Sequence, residues 1–502
     1  MTNYYCTTPI FYSNDLPHIG HGYSVIINDV LGRYYRSIGS NAMVVTGVDE
    51  HGQKIEQAAH KKGIAPQDLV DNLYPTFYEL STKTGCKYDK FIRTTDANHK
   101  IAAQNLWNKM YENGHIYKDV YTGWYAERDE AFYTDDEIKD GKAISSGAAV
   151  EWLEVESYFF RLSVFTDKLL AFYNANPDFI KPSIRANELI SFIKGGLKDI
   201  CISRNNITWG IKVPNDTDHV MYVWVDALTN YLTLVGYPNT DSEQFKNFWH
   251  NGFITHVIGK DILRFHGVYW LAFLMAAEIK LPNRLLIHGW WTNRSEKISK
   301  SVGNVIRIDD LIEKYNIDYL RYFFMRAAGF SSDIDFDESR LISIVNSELC
   351  NNIGNLVNRV LNIICKATGG IVDTNIDIDI DYYIIKDKYI NYMNNYDFTN
   401  AIDEIINLSS QANKLVEEEQ LWSLYKRDIE KYNNIILLLL EYIRCIAIML
   451  SIFIPDSAAK IFEQLSLDYD ELSLMNLNSN NSITKKDNLL ISKPSPIFIR
   501  II

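Results

Sequence analysis

A β-type run from Tyr4 to Thr8 breaks at Pro9 into a short loop rich in Pro, Asn and Asp, and a helical pattern follows. Ile19, Tyr23, Ile26, Val30 and Tyr34 share one face of that helix, so the chain opens with the strand–loop–helix unit of an α/β parallel sheet. His18 and His21 fall on the first turn, with Gly20 leaving room between them. Unpaired backbone N–H groups and the helix dipole make such a terminus a seat for phosphate. Imidazoles there can donate to a phosphate that is gaining charge. The plainer alternative is that the two rings only cap the helix, and these residues alone leave both readings open.

The rest of the chain divides by texture. Residues 1–115 alternate short apolar runs with helical patterns, and Val44 to Gly52 reads as a second buried strand ending in a polar loop. Ligands of doubly wound folds sit outside such carboxyl ends, which places Asp49 and His51 where chemistry occurs unless the loop is an ordinary Asp/Gly turn. Residues 116–216, rich in Glu, Tyr and Trp, read as an insertion. The α/β pattern resumes over 217–290, through Gly259-Lys260-Asp261 and Leu285 to Gly289. The region 291–347 begins with the small polar loop Lys297-Ile298-Ser299-Lys300-Ser301; its lysines suit a triphosphate or are simply solvated. From 348 to 502 the pattern is nearly all helical, with Leu474 to Ser482 reading as a loose Asn-rich loop and Lys493 to Arg500 as an extended tail. A length of 502 residues exceeds what one core can serve, in keeping with this division.

All eleven histidines lie at or before His288, which concentrates proton and phosphate chemistry in the first part of the chain. A net charge of −13 excludes a uniformly basic nucleic-acid surface, so any polyanion must be met by local patches. The six cysteines are scattered singly, without a CxxC pair, as free thiols of a reducing compartment are. No basic-then-apolar signal segment precedes the first strand, and the expected location is cytoplasmic. The apolar run Ile435 to Ile454 is interrupted by Glu441 and Arg444 and is expected to be a buried bundle helix, with no membrane partner.

His18-Ile19-Gly20-His21 and Lys297-Ile298-Ser299-Lys300-Ser301, in this order around an insertion, resemble the two signatures of class I aminoacyl-tRNA synthetases. Thr7 to Tyr12, Thr46 to Gly52, Tyr222 to Ala227 and Ile258 to Ile262 are similar to blocks of the methionyl-tRNA synthetase family, in its short bacterial or organellar form. The resemblance spans nearly the whole chain and weakens between about 370 and 490. It implies a Rossmann-like doubly wound parallel sheet with an inserted connective-peptide domain, followed by an all-α helical bundle that reads the anticodon. It also implies two-step chemistry: methionine and ATP form methionyl-adenylate and pyrophosphate, and the methionyl group then passes to the terminal adenosine of tRNA(Met).

Carried over residue by residue, the resemblance assigns the methionine pocket to Ile10, Tyr12, Trp224, Ala227, Leu228, Tyr231 and His266, with Asp49 for the α-ammonium. Aromatic rings and aliphatic walls suit a polarizable thioether, although Trp224 and Tyr231 by themselves read equally as core. His18, His21, Lys297 and Lys300 take the catalytic roles, and Gly20, Asp261 and Gly289 join the two lysines around ATP. Magnesium is expected as the counter-ion of ATP. Asn355 and Arg359, with Trp422 on a neighbouring helix, correspond to the anticodon reader; without the family, the first two read as a solvated pair.

Three departures stand out. Many members carry zinc-binding CxxC knuckles in the insertion, whereas Trp124 to Glu130 contains no cysteine and only His115 lies nearby, so no structural zinc is expected. Ile298 replaces the usual methionine of the second signature, and Leu421 stands where proline often precedes Trp422. The chain ends after Arg500-Ile501-Ile502 with no oligonucleotide-binding module, which makes a monomer the expectation. The competing readings are another class I synthetase of the aliphatic subgroup, whose editing domain does not fit in 116–216, and a small-molecule nucleotidyltransferase, which leaves the helical domain unexplained. A catalytically dead paralogue finds no support in signatures that keep both histidines and both lysines.

Overall fold

The computed structural model describes residues 2–126, 131–133, 135–144, 146–293, 296–297, 305–327, 332–374, 376, 378, 380–486 and 489–502. Strand β1 (Asn3–Thr7) breaks at Thr8–Ile10 and resumes as β2 (Phe11–Tyr12). Helix α1 (Ile19–Ser37) carries the chain to β3 (Asn41–Asp49), and β4 (Lys90–Arg93) follows. Later come β5 (Ile180–Lys181), helix α2 (Val223–Thr233), β6 (Phe253–Gly259) and β7 (Arg284–His288). The strands pair in parallel in the order β5-β7-β6-β1-β3; β2 meets β3 at Val48–Asp49, and β4 meets it at Val45–Val48. Strand β1 thus has β6 on one side and β3 on the other, and a crevice opens outside their carboxyl ends.

Helix α1 is buried on nearly every side because it is wedged between this sheet and the segment after residue 305. Ile19, Val25, Ile26, Ile27, Val30, Leu31 and Tyr34 are all inaccessible to solvent. Each such side chain contributes on the order of 1.5–3 kcal/mol on burial. The helix approaches β3 closely at Gly32, where a Cβ atom would stand 2.2 Å from Val44 Cγ2.

Residues 116–216 contain a long antiparallel pair, Ile116–Ala126 with Glu151–Phe160, flanked by Ala131–Tyr133 and Ile200–Cys201. Trp124 packs edge-on against Trp152 with ring centroids 5.2 Å apart, and Tyr125, Ala126 and Ala143 are buried. The same span also supplies β5, the outermost strand of the parallel sheet, because buried Phe179 and Ile180 cover its β7 edge.

Helix α3 (Ile317–Ala327) lies on α1 and leads into the helical part of the chain. There α4 (Asn355–Thr368), α5 (Phe398–Glu418), α6 (Leu421–Arg427) and α7 (Ile429–Leu450) form a bundle with α7 buried among them. Buried Glu441 and Arg444 of α7 pair at 2.5 Å, and Glu441 also accepts from Tyr382 Oη at 2.9 Å and from the Ile483 N–H at 2.9 Å. The apolar run is therefore a core helix whose charged interruptions are satisfied.

The Asn-rich stretch from Leu474 to Ser482 is not a loose loop. It folds into successive short 3₁₀ turns, with Leu474 fully buried. Arg444 Nη1 donates to the Asn476 carbonyl at 3.1 Å, Ser473 Oγ to the Ser37 carbonyl at 2.9 Å, and the Leu474 N–H to Ser37 Oγ at 2.7 Å. Those anchors come from helices far away in sequence, which composition cannot reveal. The terminal segment likewise returns to α3, where the Ile499 N–H donates to Tyr319 Oη at 2.7 Å.

One buried polar cluster joins the two halves of the molecule. Asp29 of α1 accepts from Arg33 Nε at 2.6 Å, Arg321 Nη2 of α3 at 2.7 Å and the Lys87 N–H at 3.0 Å. Arg321 also donates from Nε to the Phe453 carbonyl at 2.7 Å and from Nη1 to the Thr84 carbonyl at 3.1 Å. Burial alone would raise the Asp29 pKa, but the two guanidiniums bring it below the usual carboxylate range. Truncating Arg321 leaves Asp29 buried without its main counter-charge. Arg321→Met is expected to cost about 3–5 kcal/mol of stability in urea unfolding, and Asp29→Asn combined with it is expected to cost much less than the two single changes summed.

Candidate active site

The break between β1 and β2 opens the sheet at its carboxyl edge, and a cavity of about 430 Å³ fills the gap. Ile10, Tyr12, Asp49, Trp224, Ala227, Leu228, Tyr231 and His266 line one part of it, and His18, Gly20, His21, Asp261 and Gly289 line the other. These thirteen positions come from distant parts of the chain and meet in one crevice. Lys300 lies outside the described residues. Lys297 takes part through its backbone in a short hairpin, paired with Thr292.

The histidines occupy a reciprocal cap. His18 is the N-cap of α1, its Nδ1 accepts the Gly20 N–H at 3.1 Å, and His21 Nδ1 accepts the His18 N–H at 3.1 Å. The two rings stack with centroids 3.8 Å apart. A Cβ at Gly20 would fall 3.0 Å from His18 Cε1, so glycine is what lets the first ring fold back over the helix end. Capping and phosphate binding are therefore compatible. With Nδ1 accepting in both rings, the proton of each neutral imidazole sits on Nε2, which becomes a donor.

The end of the cavity lined by Trp224, Tyr231 and His266 is apolar with a polar edge. Trp224 lies flat on Phe265, centroids 3.7 Å apart and planes 7° from parallel. Tyr231 Oη and His266 Nε2 are 2.7 Å apart, and His266 Nδ1 lies 3.0 Å from the Ile262 carbonyl. Burial lowers the His266 pKa to about 4, so the ring is neutral, donates from Nδ1 to Ile262 and accepts the Tyr231 proton at Nε2. His288 is also held neutral by burial, with Nδ1 donating to the Gly289 carbonyl at 2.8 Å and Nε2 facing Ser24 Oγ at 2.9 Å.

Asp49, at the end of β3, is only 7% exposed. His51 does not join it in the cavity. Its Nδ1 is 2.6 Å from Asp226 Oδ2, and the other carboxylate oxygen is 2.7 Å from His99 Nε2. Trp209 of the insertion closes the same loop, donating from Nε1 to the Glu50 carbonyl at 2.6 Å and accepting from the Gly52 N–H at 3.2 Å. His51 is thus scaffold, tying the Asp49 loop to α2.

Several cavity residues went unrecognised in the sequence. Phe265 precedes His266, His288 precedes Gly289, and Lys54 lies one turn beyond the Asp49 loop, so proximity to a motif was the available signal. Ser24, one turn after Gly20, gave none.

In the helical domain Asn355 and Arg359 lie on α4, which packs against α6, the helix carrying Trp422. Trp422 is 54% exposed, and Arg359 Nη2 pairs with Glu417 Oε1 at 2.7 Å. Within 116–216 Cys201 is the one cysteine and no histidine occurs.

The parallel sheet, the histidine-capped first helix at its switch point and the shared cavity define a class I aminoacyl-tRNA synthetase. The family model described as "tRNA synthetases class I (M)" matches residues 4–141 and 136–361, and that of the "Anticodon binding domain of methionyl tRNA ligase" matches 370–498. The chain belongs to the methionyl-tRNA synthetase family. It is 46% identical to the methionine–tRNA ligase of Rickettsia bellii, over 99% of each chain. To that of Mesorhizobium japonicum it is 43% identical, over 96% of this chain and 94% of the relative. Mycobacterium tuberculosis methionyl-tRNA synthetase in complex with methionyl-adenylate superposes with a TM-score of 0.93 at 39% identity, covering 100% of both chains. The free-state structure of that enzyme gives 0.86 at 37% identity, over 100% of this chain and 98% of the other.

Burial would raise the Asp226 pKa, but His51 and His99 hold it down to about 2. A folded pKa below the ordinary value of about 3.9 means that this carboxylate stabilises the fold fully above that pH and ceases to do so as pH falls towards 2. Asp226→Asn should flatten that acid limb of a stability–pH curve. By loosening the Asp49 loop it should also raise the methionine KM by about ten-fold in steady-state assays.

Proposed function

We propose that this chain joins methionine to tRNA(Met) in two steps within the cavity, acting as a cytoplasmic monomer. The observation that carries the reading is the convergence of an apolar, aromatic-walled chamber and a histidine-capped helix terminus in one crevice of a family member. Asp49 pairs with the α-ammonium of methionine, and the thioether lies between Trp224, Ile10, Tyr12, Ala227 and Leu228, against the Tyr231–His266 edge. ATP enters as its magnesium salt, with Asp261 on the ribose and backbone near Gly289 facing adenine.

A carboxylate oxygen of methionine attacks the α-phosphorus in line, and the bond to the β-phosphate oxygen breaks, releasing pyrophosphate. No covalent protein intermediate is needed; positioning and charge neutralisation lower the barrier. The Nε2–H groups of His18 and His21 donate to phosphate oxygens as charge builds. Lys297 and Lys300 draw off charge on the pyrophosphate. A ribose hydroxyl of the terminal adenosine then attacks the methionyl carbonyl carbon, and AMP leaves. In the helical domain, Trp422 offers a stacking face for an anticodon base, while Asn355 and Arg359 offer edge hydrogen bonds.

Amino-acid-dependent ATP–pyrophosphate exchange without tRNA tests this directly. Among the twenty amino acids, methionine alone is expected to support exchange, and His21→Ala or Lys300→Ala to slow it by about 10²–10³-fold. Exchange with valine, isoleucine or leucine in place of methionine would overturn the pocket assignment. Trp422→Ala is expected to reduce charging of tRNA(Met) by roughly ten-fold or more, with a far smaller effect on exchange.

A further inference from the structure

Asp333 lies outside every sequence motif, yet it touches both of the elements that flank the nucleotide end of the cavity. Its Oδ2 pairs with Lys260 Nζ at 2.6 Å, and its Oδ1 accepts the Trp290 N–H at 3.0 Å. Lys260 belongs to the turn after β6 that carries Asp261, and its ammonium rests 3.9 Å from the centre of the Trp290 ring. Trp290 Nε1 in turn donates to Asp261 Oδ1 at 3.2 Å. Asp333, Lys260 and Trp290 close a triangle of contacts, and Asp261 is held from it by the indole.

The backbone reinforces it. The Ser332 carbonyl lies so close to Gly289 that a Cβ there would be 2.2 Å away. Ile334–Asp335 pairs in parallel with Trp291–Thr292, the first arm of the hairpin whose second arm contains Lys297. Thr292 Oγ1 also donates to Asp335 Oδ1 at 2.9 Å. The segment after residue 331 thus holds both the turn bearing Asp261 and the hairpin leading to the signature lysines.

We propose that Asp333 is a positioning residue for ATP: it restrains Lys260 from pairing with Asp261 and fixes Trp290, so that the Asp261 carboxylate is oriented towards the ribose and the lysine hairpin starts from a set place. This rests on the assignment of ATP to the cavity. The chemistry gives it a direction. Without the Asp333 charge, the Lys260 ammonium, already stacked on the ring that bonds Asp261, can turn to that carboxylate. An Asp261 paired with Lys260 is a poorer acceptor for ribose hydroxyls. Asp333 and Lys260 are partly exposed, at 36% and 19%, so the pair sits at the cavity rim, where a single amide replacement leaves the core untouched.

The test is pyrophosphate exchange with ATP and methionine varied in turn, on the full chain, with Asp333→Asn, Lys260→Met and the double variant. Asp333→Asn is expected to raise the KM for ATP by about ten-fold while that for methionine stays within about two-fold. Adding Lys260→Met should restore part of the ATP KM, because the competing ammonium is gone; a merely structural role for Asp333 predicts no such rescue. An unchanged ATP KM in Asp333→Asn, an equal rise in both KM values, or a double variant worse than the single one would overturn the inference. Methionine-dependent exchange by the unsubstituted chain separates this outcome from failure of the function itself: its absence would remove the proposed reaction, and the role of Asp333 with it.

Discussion

The fully buried ion pair between Asp29 and Arg321 is the contact on which the geometry of the molecule depends. Helix α1 presents His18 and His21 at one end and Asp29 in its middle, so whatever fixes Asp29 fixes the axis along which the histidines point. Arg321 reaches it from α3 while also donating to Thr84 on the sheet side and Phe453 on the bundle side. A charge removed from water at this cost is tolerable only because nearly every polar atom of the cluster finds a partner. One guanidinium therefore sets the relative placement of catalytic sheet, connecting helices and helical domain.

The same economy recurs around the cavity, where polar groups serve as joints between distant segments. Asp226 of α2 holds the loop after β3 through His51 and the helix Ala97–Glu112 through His99. His266 accepts the proton of Tyr231 and closes the apolar chamber, and His288 packs against Ser24 beside α1. Burial keeps His266 and His288 neutral, so they shape the cavity without adding charge to it. The Lys260–Asp333 ion pair, by contrast, sits at the cavity rim.

The motif residues were legible because their chemistry is local. A strand broken at Pro9, a helix beginning at His18-Ile19-Gly20-His21 and a strand ending at Asp49 announce themselves through short-range periodicity and turn composition. The helical character of the last third follows from its amphipathic spacing. His51 shows where such reading stops: its position beside Asp49 suggested chemistry, but its ring is turned away by Asp226, a residue 175 positions distant. The Asn-rich stretch shows the converse error, since its order comes from Ser37 and Arg444 and not from its own composition.

The sequence alone determined the class of fold, the order of its parts and the residue types available for phosphate, thioether and base recognition, because these depend on neighbours a few positions apart. Only the tertiary structure decided which of them share a cavity, which histidines are scaffold, and that Asp333 stands between Lys260 and Trp290. Those outcomes are set by contacts between segments far apart in the chain, whose energies exist only once the sheet and the helices have packed.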